Sequence, residues 1–102
     1  MIKRIDLKIE DLCVVAYLNE NQLFRLSNEN KTINIEELYK KMAITKDDSI
    51  ENLIVENTSS NKSSLEVLYD NTKLFLDELI KRINEVLTQF DFEKEKKILI
   101  NQ

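Results

Sequence analysis

The chain has no glycine, no proline, no histidine and no tryptophan in its 102 residues. Average usage would supply about 7% glycine and about 5% proline, so the gap is a property of this chain. Each absence excludes a class of chemistry. Without glycine, the phosphate-cradling loops of nucleotide-binding proteins cannot form, because they need a backbone approach that a Cβ blocks. Without histidine there is no imidazole base, no Ser-His or Cys-His pair and no His-ligated metal. Cys13 is the single cysteine, which excludes a zinc ribbon and an internal disulfide. Alanine and arginine are also scarce, confined to Ala16 and Ala43 and to Arg4, Arg25 and Arg82. Like those of glycine and proline, their codons are GC-rich, and the composition fits an AT-rich genome or a mobile element such as a phage or plasmid. Every turn must be built without glycine.

Hydrophobic residues make up 42% of the chain and charged residues 33%, the balance of a folded globular protein rather than a disordered one. This length predicts a single domain over residues 1–102 with one modest core. Acidic side chains number 19 against 15 basic ones, leaving a net charge of −4. That balance argues against a strongly basic nucleic-acid or anionic-membrane footprint. Lys3, Arg4, Asp6 and Lys8 break up the N-terminus, so no apolar signal region is expected there. The longest apolar run, Leu12 to Leu18, is too short to span a bilayer. A lone cysteine without a secretion signal predicts a reducing, cytoplasmic setting. Within that run, Cys13 is expected to be a small buried hydrophobe.

Ile5, Leu7 and Ile9 alternate with Asp6, Lys8 and Glu10, which predicts a half-buried strand ended by Asp11. Leu12 to Leu18 is β-prone and predicts a second strand, although Ile5, Ile9, Leu12, Cys13 and Ala16 also fit helical spacing. Asn19-Glu20-Asn21 and Asn28-Glu29-Asn30 are the turn sites, since asparagine tolerates left-handed backbone angles. Between them Leu23 to Leu26 predicts a strand in a hairpin with 12–18, and Thr32 to Ile35 a further one. Asn34 with Glu37 forms a capping box for a helix to about Met42, with Ile35, Leu38, Tyr39 and Met42 on its apolar face.

Thr45, with Asp47 and Asp48 behind it, predicts a second short helix that carries Ile50, Leu53 and Ile54 inward. Residues 57–64 read as a loop. Ser63 with Glu66 then opens a long helix whose stripe runs Leu68, Tyr69, Thr72, Leu76, Leu79, Ile80, Ile83, Leu87 and Phe90. Lys94 and Lys97 would interrupt that stripe, so the helix is expected to stop near Asp91, with 97–100 a short strand or docking segment.

Glu36 to Met42, Ala43-Ile44-Thr45 and Lys46 to Asn57 are similar to the first helix, turn and reading helix of a helix-turn-helix. The stretch 34–57 thus resembles that family, which implies a dimeric DNA-binding transcription or partition regulator with the 65–90 helix as its dimer seam. Charge points elsewhere. The reading helix would offer Lys46 and Asn52 against Asp47, Asp48, Glu51 and Glu56, so a protein partner is expected ahead of nucleic acid. The same carboxylates match no ligand-spacing template, and no metal or other cofactor is expected. Ser59, Ser60, Ser63 and Ser64 have no base to activate them, so no enzymatic activity is expected.

These readings combine into an α+β fold: a small N-terminal antiparallel sheet, one or two short helices, and a long C-terminal amphipathic helix packed across the sheet. The rival is a mostly α winged helix-turn-helix, with 5–18 helical and 57–64 at the wing tip. The expected function is that of a non-enzymatic, small acidic protein-interaction module of inhibitor, immunity or anti-defence, adaptor or chaperone type. Its partner-binding residues are expected to be Glu36, Glu37, Asp47, Asp48, Glu51 and Glu56, which present carboxylates to a partner with a basic surface. Val67, Leu74, Phe75 and Val86 widen the long helix's apolar stripe, so 65–90 is also expected to hold a homodimer seam. No membrane association is expected.

Overall fold

Strict alternation makes the first strand. Ile5, Leu7 and Ile9 are buried at 0%, 0% and 1% exposure, while Asp6, Lys8 and Glu10 between them are half-buried. They lie in β1, Ile2–Glu10, of the computed structural model, which describes residues 2–45, 47–54 and 65–85. β1 pairs antiparallel with β2 (Cys13–Leu18), and β2 pairs antiparallel with β3 (Asn21–Leu26). Val14, Ala16 and Leu18 point to the same side as Ile5, Leu7 and Ile9 and share their core. A register shift between Ala16 and Tyr17 lets consecutive Leu23 and Phe24 both be buried.

The missing glycines show in the turns. Both hairpins use two-residue connections with positive φ at each position: Asp11 at 49° and Leu12 at 63°, then Asn19 at 48° and Glu20 at 77°. That pattern matches the right-handed twist of the flanking strands and normally selects Asn-Gly or Asp-Gly. Leu12, expected in β2, instead fills the glycine position of its turn and is 54% exposed. Leu12→Gly should raise the unfolding free energy by about 0.5–1 kcal/mol. Relief of a left-handed penalty of ~1–2 kcal/mol outweighs the added freedom of the unfolded chain. Urea unfolding of the variant beside the parent checks this.

α1 (Ile35–Met42) forms as its capping box predicts. Asn34 Oδ1 accepts the Glu37 N–H at 3.0 Å, and Leu38, Tyr39 and Met42 are buried. The helix ends on Ala43 in the left-handed region at φ 39°, ψ 48°. Residues 32–34, expected to begin a strand, lead into this helix instead, and Ile35 is its first residue.

The main correction follows α1. Residues 49–54, expected as a helix, form β4 (Ser49–Ile54), which pairs parallel with β1 in register Ile5↔Asn52. The sheet is therefore four-stranded and mixed, ordered β3-β2-β1-β4, rather than purely antiparallel. The helix-start signal at Thr45 closes on itself: the Asp48 N–H donates to the Thr45 carbonyl, and Asp48 Oδ2 accepts from the Thr45 N–H. One turn forms, and the chain then enters the ladder beside β1, where the buried Ile50 joins the core. Residues 49–54 of the 34–57 cassette are accordingly strand rather than reading helix, and 5–18 forms the β1–β2 hairpin rather than the helix of the winged alternative.

α2 (Glu66–Glu85) is the long helix, about 30 Å at 1.5 Å per residue. Its buried residues are Leu68, Tyr69, Thr72, Leu76, Leu79, Ile80 and Ile83, the first seven of the expected stripe. Leu87, Phe90, the expected stop near Asp91, the 57–64 loop and the 97–100 strand lie outside the described residues. Both helices pack on the inner face, the one carrying Ile5 and Leu7. Cys13 is half-buried and free, where a buried hydrophobe was expected. No helix among the described residues is long and apolar enough to cross a membrane.

Candidate partner-binding site

With the helices on one side, the alternate residues of each strand form an outer face. By the same alternation β1 contributes Ile2, Arg4, Asp6, Lys8 and Glu10 to it, and β4 contributes Ser49, Glu51 and Leu53. At the β1–β4 end this face stands open, with Ile2 67% and Leu53 43% exposed. A cleft of about 550 Å³ lies there, lined by Ile2, Arg4, Asp6, Asn19, Glu20 and Glu51. The β2–β3 turn forms one wall. It is clipped to β1 by the Arg4 N–H donating to Asn19 Oδ1 at 2.8 Å and the Asn19 N–H donating to the Arg4 carbonyl at 2.9 Å.

Three carboxylates and one guanidinium share the cleft. Arg4 approaches Glu51 at 3.9 Å, with both side chains more than half exposed. An exposed pair at that distance contributes about 0–1 kcal/mol and exchanges readily. Asp6 is different. Its Oδ1 is closed off from water and accepts no hydrogen bond, which leaves a carboxylate oxygen with neither solvent nor donor. Further along the face, Tyr17 donates its phenolic proton to Glu10 Oε2 at 2.5 Å, and Lys8 Nζ sits 5.5 Å from the Tyr17 ring centroid. The bond to Glu10, helped by burial and the Glu10 charge, pushes the Tyr17 hydroxyl above its ordinary pKa.

The six acidic residues expected from the sequence do not share one patch. Glu36 and Glu37 stand exposed in the first turn of α1, which packs on the inner face, and Glu37 pairs with Lys41 at 3.3 Å. Asp47 is exposed in the turn before β4. Glu51 alone lines the outer-face cleft, and Glu56 lies outside the described residues.

Asp48 is spent on structure. Only 7% exposed, it receives the Thr45 N–H and pairs at 3.3 Å with Lys3, whose Nζ also donates to the Met42 and Ala43 carbonyls at the end of α1. The Thr45 backbone N–H, and after it Lys3, hold the Asp48 carboxyl below its ordinary pKa of 3.8, against the opposing pull of burial. The sign follows. A depressed folded pKa makes ionised Asp48 stabilising above pH 3.8, and that stabilisation is lost as pH falls through the lower folded value. Asp48→Asn should therefore unfold at lower urea than the parent at pH 7 and show a shallower further fall below about pH 4, read as urea midpoints against pH.

Sequence reading missed Ile2, Arg4, Asp6, Asn19 and Glu20 as a site. The alternation of β1 already put Ile2, Arg4 and Asp6 on one face, but their union with Glu51 needed the β4 pairing. Among the described residues, no group of three or more His, Cys, Asp or Glu side chains could hold a metal ion. Compared with known proteins, the chain matches no family model, no curated protein and no solved structure.

Proposed function

We propose that this chain is a non-enzymatic protein-interaction module, of inhibitor or adaptor type, that docks a partner with a basic surface through the β1–β4 end of its outer sheet face. The observation that carries the reading is the composition of that open end. Exposed Ile2 and Leu53 flank a cleft in which three carboxylates outnumber the single guanidinium of Arg4. Apolar contacts supply non-directional adhesion, and the surplus acid steers and orients a basic partner. An overall charge of −4 adds long-range attraction to the same kind of surface.

The test is capture of a partner from host lysate by the tagged chain, with and without nuclease, using variants of the two faces. A nuclease-resistant protein retained by the parent and by exposed-helix variants Val67→Asp and Leu74→Asp, but lost with Glu51→Lys and Leu53→Asp, supports the reading. A partner lost with the helix variants instead would move the interface to α2. Nucleic acid as the retained species would overturn the proposal.

A further inference from the structure

Asp6 is the least compensated group of the outer face. It lies on a central strand of the sheet, its cross-strand neighbours are Tyr17 and Leu53, and neither offers a charge. Its Oδ1 is buried without a donor, and among the described residues no cation pairs with it or with Glu20. Arg4, the one cation lining the cleft, is aimed at Glu51. What exposure Asp6 retains lies elsewhere on the residue than Oδ1, and the residue lines the cleft. A carboxylate spreads its charge over both oxygens, so a cation that meets Oδ2 compensates the charge on Oδ1 as well.

We infer that the cleft between the start of β1, the β2–β3 turn and β4 receives an arginine side chain presented by the partner protein, with Asp6 as its main anion. The inference rests on the partner-binding reading above and specifies what the partner must present. A planar guanidinium suits the site better than an ammonium: its spread N–H groups can bond Asp6 Oδ2 and a second acceptor of the cleft together, and its weaker hydration makes burial beside Asp6 less costly. The apolar stem of such a side chain can lie along Ile2, which is 67% exposed on the rim. The volume of about 550 Å³ falls within the range of small-ligand clefts, ~300–1,000 Å³, and takes one such side chain with water. Glu51 supplies a second acceptor by releasing Arg4, since their 3.9 Å contact is at the limit of an ion pair.

N-acetyl-arginine amide is the probe, and N-acetyl-citrulline amide, nearly the same shape without the charge, is its control. Both are titrated into the unaltered protein while backbone amide shifts are followed by NMR. The arginine probe should give saturable shifts at Arg4, Asp6, Glu20 and Glu51, with the citrulline probe at least about tenfold weaker. Asp6→Asn, shown to be folded by its amide dispersion, should weaken the arginine probe by a similar factor. Equal affinity for the two probes, shifts scattered over other acidic residues, or an unchanged affinity in folded Asp6→Asn would each overturn the assignment. The comparison of probes uses the parent alone, so it decides the question even where the variant fails to fold. A lysate partner held equally by parent and Asp6→Asn would overturn the arginine assignment and leave the module reading standing. Specific arginine binding with no partner captured would overturn the module reading alone.

Discussion

Leu76→Ala is expected to lower the unfolding free energy by about 2–5 kcal/mol, against ~0.5 kcal/mol or less for Leu74→Ala two residues away on the same helix. Leu76 is 0% exposed and belongs to the cluster that joins α2 to the sheet, whereas Leu74 is 67% exposed. Truncating the first removes apolar contacts and leaves a cavity that a close-packed interior closes only in part. Truncating the second removes surface that water already reaches. A domain of this size has a total stability of about 5–15 kcal/mol, so the buried change takes a large share of it. Urea unfolding of the two variants beside the parent reads the difference. Equal midpoints would mean that α2 does not cover the sheet as described.

The second large effect concerns the edge of the sheet. β4 is an outer strand, and exposed strand edges template aggregation. Asn84 of α2 occupies part of that edge: the Ile50 N–H donates to Asn84 Oδ1 at 3.1 Å, and Asn84 Nδ2 donates to the Ile50 carbonyl at 3.0 Å. The side-chain amide pairs with the backbone as a neighbouring strand would. Asn52 and Asp77 make a second tie between the same two elements. At the opposite edge, Lys41 Nζ donates to the Leu23 carbonyl of β3 at 3.3 Å. Asn84→Ala should cost about 1–3 kcal/mol for two lost bonds and two backbone groups left to compete for water. It should also make the protein self-associate with rising concentration, visible by sedimentation. A variant of parental stability that stays in the parental association state would show that the Asn84 contact does not protect the edge.

How much of this was legible in the chain differs element by element. α1 and the buried stripe of α2 were readable because their signals are local: Asn34 caps its helix by accepting the Glu37 N–H, and a 3.6-residue apolar repeat has few alternatives. β1 was readable for the same reason at period two. β4 was not. Ser49 to Ile54 alternates only weakly, and Thr45, Asp47 and Asp48 before it look like a helix start. Their capping capacity closes a single turn, because burying Ile50 beside β1 outweighs local propensity. The site failed with it. Acidic residues near one another in sequence suggest one surface, but Asp48, just before β4, is held by Lys3, whereas Glu51, three residues on, stands on the outer face.

The sequence by itself determined the classes of chemistry excluded, the hairpin and helix positions with local signatures, and the acidic balance. Only the tertiary structure decided that β4 joins β1 in parallel, that Arg4, Asp6 and Glu51 meet in one cleft, and that Asp48 serves the fold. The physical reason is range. Caps, turns and periodicity are written within a few residues, whereas strand pairing joins segments some 47 positions apart, as Ile5 and Asn52 are, through a ladder whose partners no local pattern names.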